Sequence, residues 1–163
     1  MATSPELLQS AADVVIRPMT EADVASVVAL ERASYQFPWS EGIFRDCLRV
    51  GYTCRVATAA NRIIGYGVMS LGAGEAHILN LCIDAAFHCQ GIGRRMLDYL
   101  LDRGAVAGMS EAFLEVRPSN TAAIRLYLSM GFDQVGMRKG YYQAVGGRED
   151  AAVLKLGLRS RRA

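Results

Sequence analysis

Three short segments of this sequence carry groups that could do chemistry. The first is Phe113-Leu114-Glu115-Val116-Arg117. Strand alternation places Phe113, Glu115 and Arg117 on one face, and Leu114 and Val116 on the other. A carboxylate in a half-buried strand has two readings: one half of an ion pair, with Arg117 the nearest candidate, or a general base whose proton affinity burial has raised. The residues alone leave both open. The second is Ala122-Ala123-Ile124-Arg125-Leu126-Tyr127, in which Tyr127 falls on the same helix face as Asn120. Such a tyrosine either fills a core or offers its phenol to a ligand as a proton donor. The third is Leu81-Cys82-Ile83-Asp84, followed by Gln90-Gly91-Ile92-Gly93-Arg94-Arg95 at the start of a helix. Glycines let backbone approach a ligand closely, and a helix N-terminus offers free N–H groups to an anion. A pyrophosphate suits that place.

Other phosphate-binding and metal chemistries fail on spacing. A dinucleotide fingerprint needs a third glycine three places after Gly93, where Met96 stands, and a P-loop needs Gly-Lys-Ser/Thr, which the chain lacks. Cys47, Cys54, Cys82 and Cys89 form no CxxC pair, and the set Cys82, His88 and Cys89 matches no metal-ligand spacing. The cysteines are expected to be buried free thiols, and no metal is expected.

These segments need a frame. The chain has 163 residues, 52% of them hydrophobic, which suits one domain with one core. Eighteen basic and 16 acidic residues leave a net charge of +2, too balanced for a general nucleic-acid binder. Arg159, Arg161 and Arg162 read as a solvated tail. No basic residue precedes Arg17 and no run approaches the ~20 apolar residues of a membrane span, so a cytoplasmic protein away from membranes is expected. Nothing reads as an interface helix, so a monomer is expected.

Val14–Arg17 reads as a first strand. Thr20 caps a helix to about Ser34 with Val24, Val27, Val28 and Glu31 at helical spacing, and Ser40 caps a second helix. Strands near 53–58 and 63–71 flank an Ala60-Asn61 turn, and a third spans about 76–83. A helix from Ile92 to about Arg103, a strand at 112–117, a helix capped by Ser119 or Asn120 and closed at Gly131, and strands near 133–138 and 151–156 complete the chain. That order predicts an α/β (α+β) architecture: one mixed, twisted sheet of about six or seven strands flanked by four helices. It occupies residues 1–163 as a single domain with short flexible ends near 1–12 and 159–163.

The glycine turn, the later Asn120, and Tyr127 followed by Met130-Gly131-Phe132 resemble the GNAT acetyltransferases from about Val14 to Leu158. Phe37-Pro38-Trp39-Ser40, Leu114-Glu115-Val116-Arg117, Tyr141-Tyr142 and Gly147-Arg148-Glu149-Asp150-Ala151 are similar to the RimI family within them. The resemblance implies acetyl-CoA as co-substrate. Leu81, Cys82 and Ile83 would present backbone to the acetyl group and pantetheine. Cys89, Gln90, Gly91, Ile92, Gly93 and Arg94 would cradle the pyrophosphate, and Asn120 would touch the cofactor. Glu115 would be the general base and Tyr127 the general acid, with Trp39, Tyr141 and Tyr142 walling a groove for a peptide. The implied partner is the N-terminal alanine of small-subunit ribosomal protein S-eighteen. A lysine or small-molecule amine is the alternative acceptor, and a non-catalytic CoA-binding module a further one. The family turn usually opens with Gln or Arg and often carries another basic residue where this chain has His88 and Cys89, so either a lower acetyl-CoA affinity or compensation by Arg94 and Arg95 is expected.

Overall fold

A computed structural model of the chain describes residues 13–161. Strands β1 (Val15–Pro18), β2 (Thr53–Ala59), β3 (Arg62–Gly72), β4 (Glu75–Ile83), β5 (Glu111–Val116), β6 (Asp133–Ala144) and β7 (Gly147–Gly157) form one seven-stranded sheet in the order β1-β2-β3-β4-β5-β7-β6. The helices are α1 (Val24–Ser34), α2 (Glu41–Arg49), α3 (Ile92–Val106) and α4 (Thr121–Ser129). Element order, mixed sheet and helix number all match the expectation from sequence. The chain divides into two compact units, one built from residues up to Val68 together with Asn80–Leu97, the other from Met69–Leu79 together with the chain from Asp98 onward.

In the first unit, β1 runs antiparallel to β2 from Val15↔Thr58 to Pro18↔Arg55. A 3-10 turn at Glu21–Asp23 opens α1, where the Asp23 carboxylate accepts the Thr20 N–H at 2.8 Å and the Arg17 guanidinium at 2.7 and 2.9 Å. Val24, Val27, Val28 and Glu31 form the buried stripe of α1. Ser40 Oγ accepts the Ile43 N–H at 3.3 Å and starts α2. Ala60 and Asn61 both take positive φ, 48° and 61°, the conformation a tight two-residue hairpin requires. At Gly65 on β3 an added Cβ would lie 2.9 Å from the Cys82 carbonyl oxygen and 2.6 Å from the Ile83 side chain, so only glycine allows this approach.

In the second unit, β4 pairs in parallel with β5 from Glu75↔Glu111 to Ile78↔Leu114, and β5 pairs antiparallel with β7. Ala112, Leu114 and Val116 are buried, as alternation predicts. Asn120 caps α4 by accepting the Ala123 N–H at 3.3 Å, and Gly131 follows its end at φ 102°. The last two strands reach far beyond the expected 133–138 and 151–156, joining at a turn through Val145 and Gly146. The expected loose end from 159 is not what the structure contains either. Arg159–Arg161 form a 3-10 turn, and Arg161 pairs with Asp98 at 3.0 Å and Asp102 at 2.8 Å. The expected flexible stretches at 1–12 and 162–163 lie outside the described residues.

Candidate active site

The first unit holds the phosphate-turn residues. β4 turns the Cys82 carbonyl towards β3, and the neighbouring carbonyls of Leu81 and Ile83 take other partners. The Tyr35 hydroxyl donates to the Leu81 oxygen at 2.8 Å, and the His88 Nε2 lies 2.7 Å from the Ile83 oxygen. Two carbonyls of the backbone stretch expected to face a ligand are thus already engaged. The 3-10 turn Ala85–Phe87 follows, then Cys89 at φ 62° and Gly91 at φ 78°. The Arg95 N–H to Gly91 carbonyl bond, 3.1 Å, opens α3, so the amides before Arg95 have no helical carbonyl to meet. No acid stands in the first turn of α3, and the space above Gly91 is open. The turn from Cys89 to Arg94 thus fits a pyrophosphate, with His88 spent on bracing its own loop.

The cysteines depart in part from expectation. Cys47, Cys54 and Cys82 are buried free thiols, but Cys89 is exposed on the turn. Burial pushes the Cys54 thiol up to about 11, and burial, partly offset by hydrogen bonds from Ser34 and Tyr66, raises Cys82 too. A raised thiol is a poor nucleophile, which disfavours a covalent route through Cys82.

Trp39 belongs to this unit as well. Its ring packs on Phe44 at 5.3 Å, and its N–H donates to Glu31 Oε1 at 3.1 Å. Glu31, only 2% exposed, also accepts the Asn80 amide at 3.1 and 3.3 Å and a close hydrogen bond from the Tyr66 hydroxyl.

The second unit gathers Glu115, Tyr127, Asn120, Tyr141 and Tyr142. The Glu115 side chain is 6% exposed and both its oxygens are engaged: Oε2 lies 2.5 Å from His77 Nε2, and Oε1 lies 3.1 Å from Arg138 Nε. Arg117, the partner expected from sequence, instead pairs with Glu149 at 3.2 Å and stacks on the Tyr142 ring at 4.3 Å. The raised proton affinity that one of the two sequence readings of Glu115 required is also reversed. Burial does push upward, but the His77 hydrogen bond and the charges of His77 and Arg138 outweigh it and hold the carboxyl below its ordinary value.

Tyr127 is buried, with its ring 5.9 Å from Phe132, and burial pushes its phenol up to about 12. Among the described residues its hydroxyl has no hydrogen-bond partner, yet no buried side-chain oxygen or nitrogen is left unpaired, so the hydroxyl reaches solvent-accessible space. Asn120 spends its side-chain oxygen on the helix cap.

The Gly147–Ala151 segment has a structural task that sequence did not disclose. Between Arg138↔Ala151 and Tyr142↔Glu149, β6 carries more residues than β7 and bulges. Asp150 accepts the Gly140 N–H at 2.7 Å, and Arg148 donates to the Gly140 and Tyr141 carbonyls at 2.5 and 3.2 Å. Glu149 accepts the Ser119 N–H and hydroxyl at 3.1 and 3.0 Å as well as Arg117. The bulge sets consecutive rings Tyr141 and Tyr142 edge to face, 4.8 Å apart.

A model of the acetyltransferase (GNAT) family matches residues 24–132. The chain belongs to the GNAT acetyltransferase family. It is similar to the ribosomal protein bS18-alanine N-acetyltransferase of Escherichia coli, 33% identical over 143 residues that cover 88% of this chain and 97% of that one. The corresponding enzyme of Haemophilus ducreyi is 34% identical over 145 residues, 88% of this chain and all of the relative. The crystal structure of the Escherichia coli enzyme superposes with a TM-score of 0.83 at 32% identity, covering 89% and 94%. These matches place the chain in the RimI branch. Acetyl-CoA is the acetyl donor of the family, and the glycine turn ahead of α3 would hold its pyrophosphate. His77, Arg138, Tyr35, Tyr66 and Asn80 are members of these networks that sequence reasoning did not place, and the bonding of Glu31 and Glu149 was not foreseen either. No group of metal-ligating side chains occurs among the described residues, and no described helix is long and apolar enough to cross a membrane.

Proposed function

We propose that this chain transfers the acetyl group of acetyl-CoA to the N-terminal alanine α-amine of ribosomal protein bS18, acting as a single domain and a monomer in the cytoplasm, with no need of membrane or nucleic acid. The observation that carries the chemistry is the second-unit constellation: an engaged carboxylate at Glu115 and a phenol at Tyr127 with no hydrogen-bond partner among the described residues. The acceptor follows from likeness to the bS18-alanine enzymes over nearly the whole chain.

An α-amine of pKa ~8 attacks only when neutral. Its nitrogen bonds to the thioester carbon, a backbone N–H steadies the oxyanion, and the nitrogen's proton passes to Glu115, directly or through water. The C–S bond then breaks and the thiolate leaves. Full proton transfer from a phenol near 12 to a thiolate of ordinary affinity (~8.5) would be uphill by about 5 kcal/mol, so Tyr127 serves first as a hydrogen-bond donor to the departing sulfur. Tyr141 and Tyr142 supply aromatic wall for the peptide, and Trp39 in the first unit is a separate aromatic contact for it.

The test is steady-state CoA release with two peptides. One copies the bS18 N-terminus beginning at Ala; the other has its α-amine blocked and a lysine added. Turnover of the first alone supports this function, whereas turnover of the second alone leaves the family intact and moves the acceptor to lysine.

A further inference from the structure

Arg138 holds one oxygen of Glu115 and is itself held in place. It is the last paired residue of β6 before the bulge, opposite Ala151, and the bonds of Asp150 and Arg148 to Gly140 and Tyr141 fix the backbone that follows it. Its Nε lies 3.1 Å from Glu115 Oε1, and its guanidinium carbon stands 5.8 Å from the centre of the Tyr141 ring. Among the described residues it has no other partner, and 56% of its side chain is exposed. Arg117 differs: one of its terminal nitrogens is given to Glu149, and its guanidinium lies over Tyr142. A guanidinium carries five N–H donors in a rigid fork. With Nε turned to Glu115, the terminal nitrogens of Arg138 remain as donors held beside the carboxylate.

Glu115 and Arg138 thus form an acceptor and a donor side by side. An N-terminal residue is the complementary couple: its amine donates, its own carbonyl oxygen accepts, and standard bond lengths put the two about 3 Å apart. A lysine ε-amine has no such carbonyl beside it, because a flexible four-carbon stem separates it from the backbone.

We propose that Arg138 is a specificity-determining residue, donating from a terminal nitrogen to the carbonyl oxygen of the acceptor's first residue while Glu115 engages the amine of that residue, an inference that rests on the function proposed above. The couple selects α-amines over side-chain amines and orients the amine nitrogen. It reads main chain, so the side chain of the second residue does not enter. No bond is made or broken at Arg138.

The experiment is kcat/KM of the full chain on two acceptors: the bS18-like peptide beginning at Ala, and the same peptide with its first amide replaced by an (E)-alkene, which keeps the extended shape and deletes the carbonyl. Wild type should lose about 10- to 150-fold on the alkene, the worth of a hydrogen bond from a charged donor. Arg138→Met keeps the stem without the fork. It should lose about as much on the amide peptide and less than about threefold more on the alkene, so that the two losses do not add. Arg138→Lys, which keeps the charge but not the fork, should fall between. The KM for acetyl-CoA should stay within about twofold. Thermal melting within a few degrees of wild type establishes that the variants fold. Equal sensitivity to the alkene in wild type and folded Arg138→Met, or a wild type indifferent to the alkene, overturns the role of Arg138 and leaves α-amine acetylation in place. A wild type that acetylates only the amine-blocked lysine peptide removes the proposed function, and the role of Arg138 with it.

Discussion

Glu31 is the sharpest place to test how this fold is held. Its carboxylate is 2% exposed on α1 and meets only donors: the Trp39 N–H, the Asn80 amide and the Tyr66 hydroxyl. Glu31→Ala would strip all three of their acceptor. Each stranded donor costs about 1–3 kcal/mol, or about 3–9 in sum. Part is recovered because a buried carboxylate no longer has to be desolvated, and because the Trp39 and Asn80 groups are only partly buried and can find water. The expected net loss is about 3–5 kcal/mol. With a urea m-value of about 2 kcal/mol/M, the unfolding midpoint should fall by roughly 1.5–2.5 M. Trp39 is the only tryptophan in the chain and its backbone is one of the bonded groups, so its fluorescence reports the transition. Glu31→Gln keeps the shape but turns one acceptor into a donor facing donors, and should cost about 1–3 kcal/mol. A Glu31→Ala loss below about 1 kcal/mol would refute the claim that this carboxylate ties α1 to β3, β4 and the Trp39 loop.

Asp23 sets a pH dependence of stability: the Arg17 hydrogen bonds, opposed by burial and aided by Thr20, hold its carboxyl at about 2, below the unfolded value of ~3.9. A depressed carboxyl adds stability above the unfolded value and loses it as pH falls through the folded one, so wild type should forfeit about 2 kcal/mol between pH 5 and 2 that Asp23→Asn never had, read as a smaller acid-induced drop in its Tm. Tyr127→Phe should lower kcat about 10- to 150-fold, the worth of a hydrogen bond to a charged sulfur, with Tm nearly unchanged; a change in Tm alone would assign Tyr127 to the core. Gly65→Ala should cost about 1–3 kcal/mol and raise the KM for acetyl-CoA, since the new methyl displaces Cys82 and Ile83; a neutral variant would show that the close approach of β3 to β4 is not needed.

Where a segment has one buried face, its sequence announced it. The stripe of Val24, Val27, Val28 and Glu31 located α1 and even included its buried acid. Ala112, Leu114 and Val116 located β5, and Ala60-Asn61 located a hairpin. The β6–β7 hairpin was legible only at its root. From Lys139 to Arg148 the chain is exposed or half-exposed, because β6 is the sheet edge, so no apolar alternation marks those residues as strand. Their charges also gave no hint of a bulge, since Asp150 and Arg148 bond backbone groups whose positions depend on the bulge itself.

The same limit explains the Glu115 surroundings. Alternation correctly put Glu115 and Arg117 on one face, and nearness in sequence then suggested that they pair. Pairing in a sheet is decided across strands, at separations of about 4.5–5.5 Å between facing side chains, whereas residues i and i+2 on one strand stand nearly 7 Å apart. Which residues come near is fixed by register: the parallel β4–β5 ladder sets His77 beside Phe113, one same-face step from Glu115, and the shifted β6–β7 ladder places Arg138 beyond β7, from where its long side chain reaches Glu115. A one-residue slip of β4 against β5 would move His77 to the opposite face and leave Glu115 with Arg138 alone. The electrostatics that turn a buried, proton-seeking acid into a held carboxylate are therefore a property of strand register, and they appear only once β4, β5 and β6 are in place.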